Sequence, residues 1–230
     1  DFSTSFRVNF LSVDQSNFDE RVIESLSNLG VRLNGFIIGG VLDYQKQILN
    51  GGFNGIGNSD YYSLDGFIKL NLINNMEFKG GVVFAGNGGN NFFAPFASIK
   101  IPFGGGLTFS AEYKPHTENY TYQDMLKKNF YVDSLLIGNV FSEVKTNLNG
   151  TIYYQYEKFF SIGLTAGYSN TDGYLYFEDA RHKGKFDVFT TDGVDNFYSK
   201  LDLLFHPAQL GYFYGDIKFS KMTDENDKNV

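Results

Sequence analysis

Apolar and polar residues alternate along much of the chain, most clearly between Asn147 and Asn170. Two runs in this stretch have the period of two that is typical of β-strands with one apolar and one polar side. A short turn near residues 157–160 separates them. The apolar sides comprise Leu148, Gly150, Ile152, Tyr154 and Tyr156 before the turn, and Ile162, Leu164, Ala166 and Tyr168 after it. The stretch therefore predicts an antiparallel hairpin with a wide apolar face that ends in tyrosines.

The same alternation predicts about ten strands in the whole chain. Besides the hairpin, they cover residues 2–10, 31–41, 64–72, 76–84, 97–101, 107–113, 197–205 and 213–219. In the second of these segments the predicted apolar face comprises Val31, Leu33, Gly35, Ile37, Gly39 and Val41. One apolar and one polar face on nearly every strand is the pattern of a sheet with lipid on one side and water on the other.

The segments between the strands differ in length in a regular way. Residues 43–61, 115–143 and 171–196 are rich in Gly, Asn, aromatic and charged residues and are predicted to be long external loops. Short turns alternate with them, as expected for a transmembrane barrel with short periplasmic turns and longer extracellular loops. Residues 17–30 break this order, because Val22, Ile23, Leu26 and Leu29 recur at helical spacing. This segment is predicted to be a short amphipathic helix or an irregular loop.

These patterns predict an all-β fold, namely an antiparallel up-and-down transmembrane β-barrel. The 26 Gly, 16 Tyr and 25 Phe residues suit strands and tight turns. The mean hydropathy of -0.24 is compatible with a barrel, whose inner positions and loops are polar. The polar run 223–230 follows the last strand, so we expect the chain to be a segment of a larger barrel. The alternative of a soluble carbohydrate-binding β-sandwich is disfavoured, since an apolar band this wide would aggregate in water.

The predicted inward faces carry most of the charged strand residues. The predicted lumen-lining residues are Arg7, Arg32, Lys69, Lys79, Lys100, Glu112, Lys114, Lys200, Asp202 and Lys218. They have two interpretations: they line a transport path and set ion preference, or they pair across strands within a structural lumen. The tyrosines near strand ends, Tyr113, Tyr154, Tyr156 and Tyr168, are predicted to form a girdle at the membrane interface.

Candidate chemistry is sparse. The chain has no Cys, its three His residues lie far apart in sequence, and the Gly-rich run 51–57 lacks the Lys-Ser/Thr of a phosphate-binding loop. The acidic residues of 172–179 and 224–227 do not match a calcium-loop spacing, so solvated loops are the better interpretation. No catalytic constellation stands out. We therefore expect no enzyme activity, no cofactor and no metal site, and the net charge of -7 disfavours nucleic acid as a partner.

Two sequence segments resemble those of a known class of proteins. They are N-G-F-I-I-G-G-V-L-D-Y-Q from residue 34 and K-L-D-L-L-F-H-P-A-Q-L-G-Y-F-Y-G-D-I-K-F-S-K from residue 200. With the alternating strands, they resemble outer-membrane barrels of the TonB-dependent-receptor or large porin kind from Bacteroidota-like bacteria. Neither a plug domain nor a TonB box is found in these residues, so receptor and porin both stay open.

The resemblance implies placement in the outer membrane, with the lipid bilayer as surroundings and a small solute or nutrient as the transported partner. A second hypothesis is a structural or assembly barrel whose loops bind an envelope protein.

Overall fold

The computed structural model describes residues 2–13, 18–50, 58–132, 140–180, 182, 184–206 and 211–224. The chain is built almost wholly of strands. They are β1 (Phe2–Val13), β2 (Phe18–Leu33), β3 (Phe36–Asn50), β4 (Ser59–Asn71), β5 (Glu77–Asn87), β6 (Asn90–Gly104), β7 (Leu107–Tyr113), β8 (His116–Tyr120), β9 (Val140–Tyr156), β10 (Phe160–Asp172), β11 (Tyr174–Glu178), β12 (Asp187–Thr191), β13 (Val194–Phe205) and β14 (Phe213–Thr223). A 3-10 turn (Ile73–Asn75) and one helix, α1 (Tyr122–Lys128), complete the described elements. No helix in this part of the chain has the length and apolar character to cross a membrane.

One antiparallel sheet of twelve strands forms the molecule. Its order is β1 to β7, then β9, β10, β13 and β14, and β8 pairs with β9 beyond the end of β7. Strands β11 and β12 form a separate hairpin. Within the described chain, β1 pairs only with β2 and β14 only with β13, so these two strands are the sheet's edges. The sequence predicted about ten strands, and the sheet has two more.

The sheet has one apolar face. Large side chains on it stay exposed along its whole width, from Phe6 on β1 (70 %) through Leu164 on β10 (52 %) to Phe219 on β14 (70 %). Residues alternate between faces in every paired strand, and the opposite face carries most of the charged side chains. A single sheet with an exposed apolar face excludes the β-sandwich, in which two such faces pack on each other.

The polar face is concave. Strand β8 lies beside β9, yet its Asn119 Nδ2 donates to Gln45 Oε1 on β3 at 2.5 Å. In a flat sheet, the five strand spacings from β3 to β9 would amount to roughly 24 Å. The sheet must therefore curl around β8 with its polar face inside. An antiparallel up-and-down sheet that is apolar outside and polar inside is the wall of a transmembrane β-barrel.

The prediction of a helix or loop at residues 17–30 is wrong, since residues 18–30 belong to β2 and residue 17 lies outside the described residues. Apolar residues occur on both faces of this strand: Ile23 lies on the convex face, and Val22 is 1 % exposed on the concave face. Val22 is covered by another part of the chain, so an apolar residue is favourable there as well. Apolar residues on both faces of the strand resemble the spacing of an amphipathic helix.

The single strand expected at residues 31–41 is also wrong. A turn at Asn34 and Gly35 divides it, and Gly35 has a φ of +87° that favours glycine. After the turn the faces are exchanged. Ile38 is on the convex face and 46 % exposed, while Ile37 and Val41 lie on the concave face. The β2–β3 connection is therefore a short turn. The β5–β6 connection, residues 88–89, is equally short, so short and long connections do not alternate strictly along the described chain.

The three predicted loops are largely regular structure. Residues 43–50 and 59–61 extend β3 and β4, residues 115–143 contain β8, α1 and the start of β9, and residues 171–196 contain the β11–β12 hairpin. The Gly-rich run 51–57, residues 133–139 and the acidic end 225–230 lie outside the described residues.

Candidate functional site

The concave face gathers all ten residues that the sequence assigned to the lumen. Strand register places Arg7, Arg32, Lys69, Lys79, Lys100, Glu112, Lys200, Asp202 and Lys218 on this face, and Lys114 reaches it through Asp65. Three of the lysines have close acidic partners: Lys69 Nζ lies 3.0 Å from Glu77, Lys114 Nζ 2.9 Å from Asp65, and Lys200 Nζ 2.6 Å from Asp202. Cross-strand pairing therefore accounts for part of the charge on this face.

Other cations on this face contact aromatic rings instead of carboxylates. Lys79 Nζ lies 4.2 Å from the ring centre of Phe67 and 5.4 Å from that of Phe96. Lys218 Nζ lies 5.3 Å from the ring of Tyr198. Attraction to the ring faces holds these two ammonium groups, and neither forms an ion pair with a carboxylate among the described residues.

The segment β8–α1, residues 116–128, folds over the concave face at the loop end of the sheet; we call it the cap. Glu20 on β2 is fully buried and anchors it. Its carboxylate accepts hydrogen bonds from Gln47 Nε2 at 2.5 Å and from the backbone N–H groups of Tyr122 at 3.0 Å and Gln123 at 2.9 Å. Burial raises the pKa of Glu20, and these donors partly offset that shift.

A small apolar core fixes the other side of the cap. Tyr122 and Met125 of α1 are buried with Val140 of β9 and Leu175 of β11, and Leu49 of β3 packs against them. At the start of α1, Thr121 and Asp124 form a reciprocal capping box. The cap thus contacts both β2–β3 and β9 of the curved sheet and also the separate β11–β12 hairpin.

A titratable pair lies on β8 outside the membrane-spanning part. His116 Nε2 is 3.7 Å from Glu118 Oε1, and the hydroxyl of Tyr120 donates to the same carboxylate. The contact with the Glu118 carboxylate raises the pKa of His116, and the same contact lowers the pKa of Glu118. Burial and the contact with Glu118 raise the pKa of Tyr120.

A cavity of about 430 Å³ lies between the cap and the concave face. The sheet contributes Arg7, Glu24, Asp43 and Tyr61, and the cap contributes Thr117 and Asn119. Tyr61 and Thr117 share a hydroxyl hydrogen bond of 2.9 Å, and Asn119 also accepts from Asn87 Nδ2 at 2.8 Å. The volume is within the range of small-molecule pockets. Sequence alone could not find it, because its residues come from five strands.

The four predicted girdle tyrosines lie on the convex face in two groups. Tyr154 and Tyr156 are near the short turn of the β9–β10 hairpin, and Tyr113 and Tyr168 lie on one paired row nearer the loops. Tyr168 donates to Asp195 Oδ1 at 2.7 Å.

Two further tyrosines have the same environment as Tyr168, and the sequence prediction missed them. Tyr44 donates to Asp60 Oδ1 at 2.7 Å, and Tyr62 donates to Asn91 Oδ1 at 3.1 Å. Tyr44 belongs to the segment 43–61 that was expected to be a loop, and Tyr62 lies between that segment and the predicted strand 64–72. Continuing the alternation of Ile38, Gly40 and Leu42 to Tyr44 would have found the first.

The positions of these tyrosines fit tilted strands. The paired row of Tyr168 on β10 reaches Ile68 on β4, five strands away, and Tyr62 lies six residues from Ile68 along β4. A shift of roughly 20 Å along the strand over roughly 24 Å across the sheet corresponds to a tilt of about 40°. This is the tilt of transmembrane barrels, and it brings Tyr62 and Tyr168 to one height.

The histidines do not form a cluster. His116 is on the cap, and His206 stacks on Tyr212 with ring centres 3.9 Å apart. Across the described ranges, no three His, Cys, Asp or Glu residues are placed to hold a metal ion.

Comparison with solved structures supports the fold. The FrpB iron transporter from Neisseria meningitidis (F3-3 variant) aligns with 91 % of this chain and 37 % of its own, with a TM-score of 0.60 and 10 % identity. The copper transporter OprC aligns with 100 % of this chain and 43 % of its own, with a TM-score of 0.65 and 8 % identity. This chain thus spans less than half the length of either. No protein-family model and no curated protein sequence matches it.

Proposed function

We propose that this chain is part of the wall of an outer-membrane barrel that takes up a small solute, of the TonB-dependent-receptor-like or large porin-like kind. The observation that carries the proposal is the cavity between a charged concave face and the cap. The ten charged residues of the concave face line the transport path. The two groups of tyrosines on the convex face lie at the two membrane interfaces. The likeness in fold to an iron and a copper transporter supports a role in transport.

Ion selectivity tests this proposal. The full-length protein is reconstituted in planar bilayers, and Lys79 and Lys100 are both replaced by Gln. Removing two cations from the path should shift the permeability ratio toward cations by a few fold. The control K46Q removes a cation from the convex face, where Lys46 pairs with Asp60, and should leave the ratio unchanged.

Absence of both conductance and solute uptake in the wild-type protein would remove the transport proposal. Co-purification of a stoichiometric envelope protein in that case would support the structural or assembly role instead.

The proposed orientation places the β9–β10 turn in the periplasm and the cap outside. This chain has no Cys, so single cysteines introduced at Lys158 in the turn and at Lys127 in the cap are the only thiols within it. A membrane-impermeant maleimide should label K127C on intact cells and should reach K158C only after permeabilisation. Labelling of K158C on intact cells would invert the topology.

A further inference from the structure

Five charged residues form a row along the floors of two neighbouring cavities. Arg7, Glu24 and Asp43 line the cavity of about 430 Å³, and Asp43, Asp65 and Lys114 line a smaller one. Arg7 on β1 is paired in register with Glu24 on β2, and their charged groups are 3.6 Å apart. At the other end, Lys114 Nζ lies 2.9 Å from Asp65 on β4. Asp43 on β3 lies between these two ion pairs.

Asp43 is a diagonal neighbour of both other carboxylates. It is in register with Leu26 and Ser63, two residues from Glu24 and Asp65 on the adjacent strands. Diagonal neighbours on one face are about 7–8 Å apart. The row therefore has the charges plus, minus, minus, minus, plus, with one uncompensated negative charge at its centre.

No partner for Asp43 is found among the described residues: its carboxylate has neither a hydrogen bond nor an ion pair there. Its side chain is half-buried, and the nearest charged groups in the row are acids. A carboxylate in such a place gains more from a cation than an exposed one does, because water screens it less.

The surroundings of Asp43 favour an organic cation. Leu26, directly opposite it on β2, is 40 % exposed and offers an apolar surface to a carbon skeleton. The hydroxyl groups of Tyr61 and Thr117 and the amide of Gln45 line the same space and make its wall polar. A second cavity of about 200 Å³ shares Leu26, Asp43, Tyr61 and Thr117 with the first.

We propose that the cavity under the cap binds a hydroxylated solute that carries a protonated amine, with the ammonium group on Asp43 and the carbon skeleton against Leu26. This names the substrate class for the proposed uptake function and rests on it only for its biological meaning. Binding to the purified protein requires no transport.

Calorimetry with two sugars tests the proposal on the full-length protein in detergent. Glucosamine and glucose share a skeleton, but glucosamine carries a protonated amine. Wild-type protein should bind glucosamine at least about tenfold more tightly than glucose, since one charge-assisted hydrogen bond is worth that much. D43N should abolish this difference, whereas D43E, which keeps the charge, should retain most of it.

The matched control is D216N, which removes an acid from the same concave face on β14, away from the cavity. It should bind glucosamine like the wild type. An equal loss of glucosamine affinity in D216N and D43N would show that the overall charge of the concave face attracts the ligand, and it would overturn the site at Asp43. Sodium ions that bind the site as tightly as glucosamine does would show that it does not select an organic cation, and this result would overturn the proposed ligand class. Wild-type binding of glucosamine no tighter than that of glucose would refute the pocket even if the bilayer conductance is normal.

Discussion

At the scale of single residues, Gly81 on β5 marks a close approach between the backbones of neighbouring strands. A Cβ added to it would collide with the carbonyl oxygen of Gly66 and would lie 2.9 Å from Phe67 Cα and 2.8 Å from Phe96 Cζ. Backbone atoms cannot move aside as a flexible side chain can, so G81A should destabilise the barrel by about 1–3 kcal/mol. Gly66 has open space at its own Cβ position. G66A is therefore the control and should be neutral in thermal unfolding; equal melting temperatures of both variants would contradict the packing.

The His116–Glu118 pair gives a pH dependence at the same scale. His116 has a raised pKa, so its contribution is complete below the ordinary value of 6.5 and is lost as pH rises through the raised pKa. Glu118 has a lowered pKa, so its contribution is complete above 4.5 and is lost as pH falls through the lowered pKa. The pair thus stabilises β8 fully between pH 4.5 and pH 6.5.

Hydrogen exchange of the β8 amides, normalised to intrinsic rates, measures this effect. Protection should fall as pH rises from 6.5 through the raised pKa of His116. H116Q should show no such fall over the same range. A pH dependence that persists in H116Q would assign it to another group.

At the scale of elements, the cap depends on Glu20. E20A would leave the backbone N–H groups of Tyr122 and Gln123 without their acceptor in a buried place. The loss should be about 2–4 kcal/mol in cap docking, and E20Q, which keeps one acceptor oxygen, should lose less. Exchange of these two amides should accelerate more than tenfold in E20A, while amides of the β9–β10 hairpin should not change. Unchanged protection of both amides in E20A would show that the apolar contacts of Met125 alone hold the cap.

At the scale of the whole molecule, the two faces should respond oppositely to charge. Leu164 is 52 % exposed within the apolar convex face, and an Arg there would lie in lipid. L164R should cost about 2–4 kcal/mol of folding free energy in a bilayer. Ser110 lies on the concave face near Lys100 and Glu112, and S110R should cost much less there. Urea titrations of both variants in lipid vesicles measure the difference; a larger loss in S110R would reverse the assignment of the faces.

Much of the wall could be predicted from the sequence because side-chain direction in a strand is a local property. Alternation placed all ten charged residues on one face and identified the β9–β10 hairpin with its turn. It failed where apolar residues occur on both faces of a strand, as at Val22 and Ile23, because adjacent apolar residues in the sequence match the spacing of an amphipathic helix. It also missed the turn at Gly35, because glycine there continued an alternating pattern.

The sequence by itself thus determined the all-β class, the apolar and polar faces and most short turns, since each depends on residues two or three positions apart. Only the tertiary structure decided the curvature, the cap and the cavity. Glu20 and Tyr122 are 102 residues apart, and Gln45 and Asn119 are 74 apart. No local pattern encodes such contacts, because they exist only when the sheet curls and brings distant strands within hydrogen-bond distance of one folded segment.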